Sequence, residues 1–357
     1  MDRISNKIER LNHLLQDLSP DIVVVTEHGQ NQDKILNTRL QNYSMVAAFA
    51  REKHMKGGVA IYRISTLENT ETLNIEQHSM PLVCEFAGVS VRLQGRETLH
   101  IVGVYRPPNQ RREQIEQALH LLSDVLNTLS LSSRSRILLI GDVNIDNLKP
   151  SLAKTLFNEL LTSHDMTRQH LPATRITPTS RSSIDAVCTN INKTLITVDI
   201  LTTAISDHTG QLCRLEFPAT KTVTSTSTRR HFNANNIHRF KQSLAAENWD
   251  NVLGSSTADE AYNNLMNTII LNMDSACPLK KSRRNHERKR SVKSDPEARR
   301  LREEFLEAEN KFILSNSQHD KVYATHCKKA YDAKLIINIS EEESVPPIST
   351  KRKIKAK

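Results

Sequence analysis

Acidic, amide, phenol and imidazole side chains recur beside apolar segments in the first 210 or so residues. The positions are Glu27, Tyr105, Asp142 with Asn144, Asp185, and Asp207 with His208. Most follow a run of β-branched or leucine residues, so we expect each to lie where a buried strand reaches an open edge of a sheet. Such a set of groups is what metal-assisted attack on a phosphodiester requires.

Asp142 and Asn144 follow a strongly apolar segment, residues 137–140, and Gly141. Their i, i+2 spacing places both side chains on one face of an extended segment. One can hold water or a metal ion while the other donates an amide N–H to a phosphoryl oxygen. We expect Gly141 to let a substrate backbone come close.

Glu27 and the Asp207-His208 pair supply candidate metal ligands and a proton-transfer group. Glu27 follows the predicted strand 21–26, which contains four apolar residues, and is a hard oxygen ligand suited to Mg²⁺, although an ordinary turn acid is an equal alternative. Asp207 and His208 precede a predicted strand at 212–217 and offer a ligand and an acid or base together. His208 then needs an orienting carboxylate, for which Asp185 is the candidate.

At two other positions, a purely structural role is an equal or nearly equal alternative to a phosphate contact. The phenol of Tyr105, at the end of a predicted strand over 99–104, can hydrogen-bond a phosphate or pack in the core. Thr174 lies in a polar loop before Ser183-Ile184-Asp185, where it can contact a phosphate or form a plain turn.

Composition restricts the class of protein. With 357 residues, 38% hydrophobic and 25% charged, the chain is long enough for one large domain with an appendage or for two domains. No segment approaches the roughly 18 apolar residues of a membrane span, so we expect no membrane partner. Five single cysteines without metal spacing predict reduced thiols and a nuclear or cytoplasmic location.

Charge is concentrated in the second part of the chain. Residues 219–357 hold 26 Lys and Arg but 17 Asp and Glu, so the whole formal net charge of +9 lies there. This favours contact with a polyanion. The basic run at 280–293 predicts phosphate binding or nuclear import, with a solvated linker as the alternative. Aromatic residues are scarce, at 4%, so base stacking is poorly supported.

The pattern of short strands with helices between them predicts an α/β (α+β) fold. We expect helices at 4–18, 111–129 and 151–163, and strands at 21–26, 43–50, 58–64, 82–86, 89–93, 99–105, 136–140, 183–189, 195–201 and 212–217. Two packed, mostly antiparallel sheets flanked by helices form a four-layer α/β sandwich.

Four segments are predicted along the chain. Residues 1–218 form the sandwich domain, and the Thr- and Ser-rich residues 219–232 form a linker. Residues 233–340 form a helical basic connector, with helices at 237–249, 258–274, 296–314 and 320–339. Residues 341–357 are predicted to be disordered.

Six motifs carry a family resemblance. They are Thr26-Glu27, GGVAIY at 57–62, GVYRPP at 103–108, GDVNID at 141–146, SSID at 182–185 and ISDH at 205–208. Together they resemble the endonuclease/exonuclease/phosphatase superfamily, and most of all the endonuclease domain of non-LTR retrotransposons of the LINE or Jockey type. The resemblance covers about residues 4–217. The charged helices beyond resemble the connector that leads into reverse transcriptase.

The resemblance implies Mg²⁺-dependent hydrolysis of DNA phosphodiesters, with Mn²⁺ as a substitute ion, for target-site nicking. It assigns Glu27 and Asp207 to the metal and Asp142 to the attacking water. Asn144, Thr174 and Ser206 are assigned to the substrate phosphate, as is Tyr105. His208, oriented by Asp185, becomes the acid or base. DNA is the expected partner, and element RNA is a candidate partner of the basic tail.

Two departures from this family define the alternatives. The family begins with a strand that ends in a metal-site Asn, whereas this sequence starts almost within the first helix, and no reverse transcriptase follows. The first alternative is therefore a truncated, catalytically impaired product that only binds nucleic acid. A phosphatase of the same superfamily is the second.

Overall fold

The computed structural model describes residues 4–52, 56–93, 97–108, 111–130, 135–217, 226–230, 232–283 and 295–344. The chain forms two compact units. One consists of Met1–Pro218 together with Ser291–Lys357, and the other of Ala219–Arg290. Within the described ranges, no helix has the length and apolar character needed to cross a membrane.

Short strands and helices alternate through the first 217 residues. In chain order they are α1 (Ile8–Leu18), β1 (Ile22–Thr26), α2 (Gln32–Asn37), β2 (Tyr43–Phe49), β3 (Val59–Ile64), β4 (Thr70–Leu73), β5 (Glu85–Arg92), β6 (Thr98–Tyr105), α3 (Arg112–Leu129), β7 (Ser135–Asp142), α4 (Leu152–Ser163), β8 (Thr167–Arg168), β9 (Arg175–Ile176), β10 (Arg181–Ser182), β11 (Asp185–Thr189), β12 (Ile196–Leu201) and β13 (Gly210–Leu215). The predicted strands at 82–86 and 89–93 form one strand, β5, because Ala87 and Gly88 continue its pairing with β6.

Two sheets dominate this unit. The smaller has the order β1-β3-β2 and is antiparallel, and the larger has the order β4-β5-β6-β7-β11-β8. In the larger sheet β6 and β7 are parallel, and α3 makes the crossover between them. The strands β12 and β13 form a separate antiparallel pair.

Three apolar layers hold the unit together. Between the two sheets, Val59 and Ile61 of the smaller sheet pack against Val89 and Ile101 of the larger one. A second layer lies between the larger sheet and helices α3 and α4, and a third between the smaller sheet and helices α1 and α2. The order helix, sheet, sheet, helix confirms the predicted four-layer sandwich.

Gly103 sets how closely the two sheets approach. A Cβ at this position of β6 would lie 2.6 Å from Val59 Cγ1 and 2.8 Å from Val24 Cγ1, both in the facing sheet. Any larger residue there must push β1 and β3 away, since interiors are packed at crystal density.

The smaller unit is built from helices and one strand pair. It contains β14 (Thr226–Arg230), α5 (Ala234–Ala245), α6 (Asp250–Leu253), α7 (Ala258–Ala276) and β15 (Leu279–Arg283), with β14 antiparallel to β15. Part of the predicted 219–232 linker is therefore a strand, because its β-branched threonines pair with the start of the predicted basic run. Residues 284–293 of that run lie outside the described residues.

Two last helices, α8 (Pro296–Ser315) and α9 (Gln318–Ser344), pack against each other and against α1. His13 Nδ1 lies 2.6 Å from the hydroxyl of Tyr331, and Arg10 Nε lies 3.0 Å from an oxygen of Asp332. The structure thus groups this part of the predicted 233–340 connector with the sandwich. Helix α9 continues to Ser344, so residues 341–344 of the predicted disordered tail are helical, and residues 345–357 lie outside the described residues.

Candidate functional site

Three site residues occupy adjacent strands of the larger sheet at the same level. The parallel register of β6 and β7 pairs Tyr105 with Asp142, and the antiparallel register of β7 and β11 pairs Asp142 with Asp185. Directly paired residues point to the same face of a sheet. The strand ends therefore bring together side chains that lie about 40 residues apart in sequence.

Glu27 joins this row from the smaller sheet. It follows β1, and its Oε1 accepts a hydrogen bond of 2.6 Å from the hydroxyl of Tyr105. Burial, and then this contact with Glu27, raises the pKa of Tyr105, so the phenol stays a donor. Glu27 has a φ of 57°, in the left-handed region that non-glycine residues seldom adopt. Strained backbone of this kind clusters at functional sites.

His208 is held by Asp185. Its Nδ1 lies 3.0 Å and 3.2 Å from the two carboxylate oxygens of Asp185, and the imidazole is 20% exposed. Burial alone would lower the pKa of His208, but the hydrogen bond and charge of Asp185 outweigh it, so the pKa lies above its usual value. Asp185 thus fixes the ring and favours the imidazolium form.

Asp142 completes a compact group with these two residues. One ligand atom from each of Asp142, Asp185 and His208 lies within 4.8 Å of the others. Burial raises the pKa of Asp142, and the neighbouring Asp185 carboxylate raises it further. A divalent cation would relieve this crowding of negative charge, and carboxylate oxygens with an imidazole suit such an ion. The donor set therefore fits a divalent metal.

The predicted metal pair, Glu27 and Asp207, lies beside this group and is not part of it. Asp207 Oδ2 accepts a hydrogen bond of 2.7 Å from Arg175 Nε. Burial alone would raise the pKa of Asp207, but the Arg175 contact outweighs it and lowers the pKa. Ser206, assigned from the sequence to phosphate, is half-buried, and its Oγ accepts from the backbone N–H of His208 at 3.3 Å.

Asn144 is anchored to the same strand ends. Its φ is 49°, its backbone N–H donates to Asp142 Oδ1 at 3.0 Å, and its Nδ2 donates to the carbonyl of Arg106 at 2.8 Å. One amide N–H is thus committed to the protein, and a single N–H remains for the predicted phosphate contact.

Arg106 is a site-shaping residue that the sequence analysis missed. Its side chain is buried, and it donates to the carbonyls of Val143 at 2.6 Å and Asn144 at 2.8 Å. The guanidinium therefore holds the loop that presents Asn144. The available signal was a charged residue between an apolar strand and two prolines, which is uncommon unless the charge is satisfied by the protein.

Thr174 has a different role from the predicted phosphate contact. It is fully buried, and its Oγ1 accepts hydrogen bonds from the backbone N–H groups of Ile184 and Asp185, both at 3.1 Å. Because the hydroxyl faces the interior, Thr174 positions Asp185. The adjacent Arg175, at the start of β9 and partly exposed, is able to meet an anion.

Gly141 is required by its neighbouring strand. Its φ is 152°, and a Cβ there would collide with the backbone carbonyl of Val104 on β6. The pairing of β6 with β7 is therefore a structural reason for glycine here, beside the expected approach of a substrate.

Comparisons with known proteins find similar folds but no sequence relatives. No protein-family model matches the sequence, and no curated protein matches it. The fold is similar to that of the AP endonuclease LMAP from Leishmania major, with a TM-score of 0.49 and 12% identity over 60% of this chain and 84% of that chain. It is similar to the endonuclease domain of TRAS1, a telomere-specific non-LTR retrotransposon, with a TM-score of 0.47 and 14% identity over 58% and 90%. An endonuclease/exonuclease/phosphatase family protein from Leptotrichia buccalis gives a TM-score of 0.44 and 13% identity over 60% and 94%. At these identities the likeness is one of fold.

Proposed function

We propose that this chain is a retrotransposon-derived, metal-dependent endonuclease that hydrolyses DNA phosphodiester bonds. The observation that carries the proposal is the convergence of Asp142, Asp185 and His208 at one sheet edge, beside the Glu27–Tyr105 pair. A buried acid of raised pKa, an imidazole held by a carboxylate and a nearby donor phenol together supply the groups that phosphodiester hydrolysis needs. The retrotransposon origin is supported by the motif resemblance.

Mg²⁺ or Mn²⁺ would be held by carboxylate oxygens of Asp142 and Asp185, with Glu27 and Asp207 at its margin, while His208 beside them keeps Nε2 for proton transfer. A bound divalent ion supplies charge neutralisation on the phosphate oxygens. Arg175 lies among these acids, since its pKa is raised mainly by its hydrogen bond to Asp207 and also by the charges of Asp142 and Glu27.

The chain's own side chains would divide the proton transfers. Asp142, whose pKa is raised, accepts a proton from the attacking water. His208 in its imidazolium form donates to the leaving oxygen from Nε2, because Nδ1 faces Asp185. The remaining N–H of the Asn144 amide and the Tyr105 hydroxyl orient the phosphate.

The substrate assignment to DNA rests on charge. The net positive charge lies entirely in residues 219–357, and Lys and Arg there would contact the phosphate backbone without reading sequence. The same residues would meet element RNA. Such an enzyme would act in the nucleus, or in the cytoplasm before import.

A second candidate function is nucleic-acid binding without catalysis. One observation favours it: the whole net positive charge lies in residues 219–357, outside the segment that holds the acidic cluster, and such charge supports phosphate contact without catalysis.

Plasmid nicking tests the proposal. The full chain is incubated with supercoiled plasmid and Mg²⁺, beside His208→Ala and the matched control His120→Ala, an exposed histidine on α3. We expect relaxed circles from the chain and the control, a rate lower by about 100-fold or more in His208→Ala, and no nicking in EDTA. Equal rates for the chain and His208→Ala contradict the proposal. DNA binding that weakens steeply with salt, without nicking by any form, supports the second candidate.

A further inference from the structure

The loop that leads into His208 contacts two apolar clusters. This loop, residues 202–206, follows β12, and Ala204 and Ile205 within it are buried. Ile205 packs in the layer that includes helix α1. Ala204 packs in a different cluster, whose other buried members lie on α8 and α9. The helical hairpin formed by α8 and α9 therefore packs against the loop that carries the imidazole of the candidate site.

Two hydrogen bonds fix the carbonyl groups of this loop. Arg302 of α8 donates from Nη2 to the carbonyl of Thr202 at 2.9 Å. Arg10 of α1 donates from Nη1 to the carbonyl of Ala204 at 2.9 Å, and its Nε lies 3.0 Å from an oxygen of Asp332 on α9. Arg10 is buried, so its guanidinium needs the charge of Asp332 to stay inside the fold. Asp332 thus holds the Ala204 carbonyl through Arg10.

The backbone of the loop is strained at Ala204. Its φ is 61°, a left-handed conformation that alanine seldom adopts. Residues in such conformations persist where the surrounding structure fixes them. Because the methyl group of Ala204 packs on the hairpin and its carbonyl is bound by Arg10, these contacts supply that fixation.

Two local hydrogen bonds connect the strained residue to the imidazole. The N–H of Ile205 donates to Thr203 Oγ1 at 3.3 Å. The N–H of His208 donates to Ser206 Oγ, also at 3.3 Å. The path of the chain from 202 to 208 is therefore a series of tight turns, so a shift at its beginning is passed on to its end.

Helix α8 also lies within electrostatic reach of the site. Burial raises the pKa of Glu309 on this helix, and the nearby cations Lys328 and Arg10 lower it. The charge of Asp207 raises the pKa of Glu309 further, so the two carboxyl groups are close enough to interact.

His208 is thus held from both directions along the chain. After it, the N–H of Thr209 donates to the carbonyl of Thr174 at 2.7 Å, within the sandwich. Before it, the hairpin holds the loop. We infer that the helical hairpin is a positioning element, which fixes loop 202–206 through Arg302 and Asp332 and thereby sets His208 against Asp185. Its effect on catalysis rests on the proposed function, whereas its hold on the loop does not.

Three pairs of substitutions in the full chain test this hold. The disruptive pair, Arg302→Gln with Asp332→Asn, removes both polar contacts of the hairpin and leaves the net charge unchanged. The control pair, Arg300→Gln with Glu303→Gln, also removes one base and one acid, but from exposed positions of α8. The conservative pair, Arg302→Lys with Asp332→Glu, keeps a cationic donor and a carboxylate at the two positions.

Amide hydrogen exchange in EDTA is the first measurement. We expect the Ile205 and His208 amides to exchange at least about tenfold faster in the disruptive pair, and at the rate of the unmodified chain in the other two. The amides of Val102 in β6 and Leu139 in β7 should be unchanged in all. Unchanged loop exchange in the disruptive pair overturns the inference. Equal acceleration at Val102 and Leu139 also overturns it, because the hairpin then only stabilises the whole fold.

Plasmid nicking with Mg²⁺ is the second measurement and separates this inference from the proposed function. We expect kcat of the disruptive pair to fall by about tenfold or more at unchanged KM, since a small misplacement of a catalytic group lowers the rate strongly. Faster loop exchange with undiminished nicking overturns the positioning role. Faster loop exchange without nicking by any form, the unmodified chain included, upholds the hold on the loop and counts against the nuclease. Unchanged loop exchange with nicking by every form does the reverse.

Discussion

Thr174→Val distinguishes a positioning role from a phosphate contact. Valine keeps the shape of threonine but lacks the hydroxyl. In the folded chain that hydroxyl is fully buried and accepts from the N–H groups of Ile184 and Asp185 at 3.1 Å each. The substitution therefore leaves two buried donors without this acceptor, and one of them belongs to the residue that orients His208.

The size of the effect follows from these two bonds. A buried donor left without its acceptor costs about 1–3 kcal/mol. Both bonds are of moderate length, so we expect Thr174→Val to lower the free energy of unfolding by about 2–4 kcal/mol. Thr174→Ser keeps the hydroxyl and loses one methyl group, which costs about 1 kcal/mol.

Urea unfolding in EDTA measures this loss through the midpoint, provided that the slope is unchanged. Thr162→Val, at an exposed position of α4, is the matched control and should stay within about 0.5 kcal/mol of the unmodified chain. If Thr174→Val unfolds at the same midpoint as the control and only binds DNA more weakly, the hydroxyl contacts phosphate and the positioning argument is refuted.

Three other changes test the packing, the loop and the imidazole. Gly103→Ala should lower the free energy of unfolding by about 1–3 kcal/mol, because its Cβ lies within 3 Å of Val59 and Val24; an unchanged urea midpoint contradicts this. Arg106→Met removes the donors to two loop carbonyls, so a loss of about 2–3 kcal/mol and slower nicking are expected, and a stable variant that nicks normally is the opposing result. The pKa of His208 is raised on folding, so its stabilising contribution is complete below pH 6.5 and is lost as pH rises through the folded value. In EDTA, the stability difference between the chain and His208→Gln should therefore shrink from about pH 5 to about pH 9, and a constant difference counts against the Asp185 contact.

Elements with strong periodicity were predictable from the sequence. Helix α3 and strands β1, β6 and β7 occur within two residues of the predicted bounds, because the spacing of their apolar residues fits only one type of secondary structure. Strand β4 (TETL) is polar and pairs only as an edge, and α2 has six residues, so local pattern does not reveal either. Their positions depend on tertiary contacts.

The row of acids was predictable, as was the contact of Asp185 with His208, but the contacts of Glu27 with Tyr105 and of Asp207 with Arg175 were not. Strand-end carboxylates converge because parallel and antiparallel pairing aligns Tyr105, Asp142 and Asp185. The face on which each acid lies depends on register, and a shift of one residue would turn each side chain to the opposite face. The inward hydroxyl of Thr174 and the buried guanidinium of Arg106 follow from loop geometry, which sequence spacing does not determine.

Manganese binding is the most direct test of the central claim that the carboxylates of Asp142 and Asp185, beside His208, form one cation site. Mn²⁺ is titrated into the chain, Asp142→Asn and the exposed control Asp33→Asn, and free Mn²⁺ is followed by its electron paramagnetic resonance signal. We predict a single Mn²⁺ bound equally by the chain and by Asp33→Asn, and at least about tenfold more weakly by Asp142→Asn. Equal Mn²⁺ affinity in all three proteins would contradict the site.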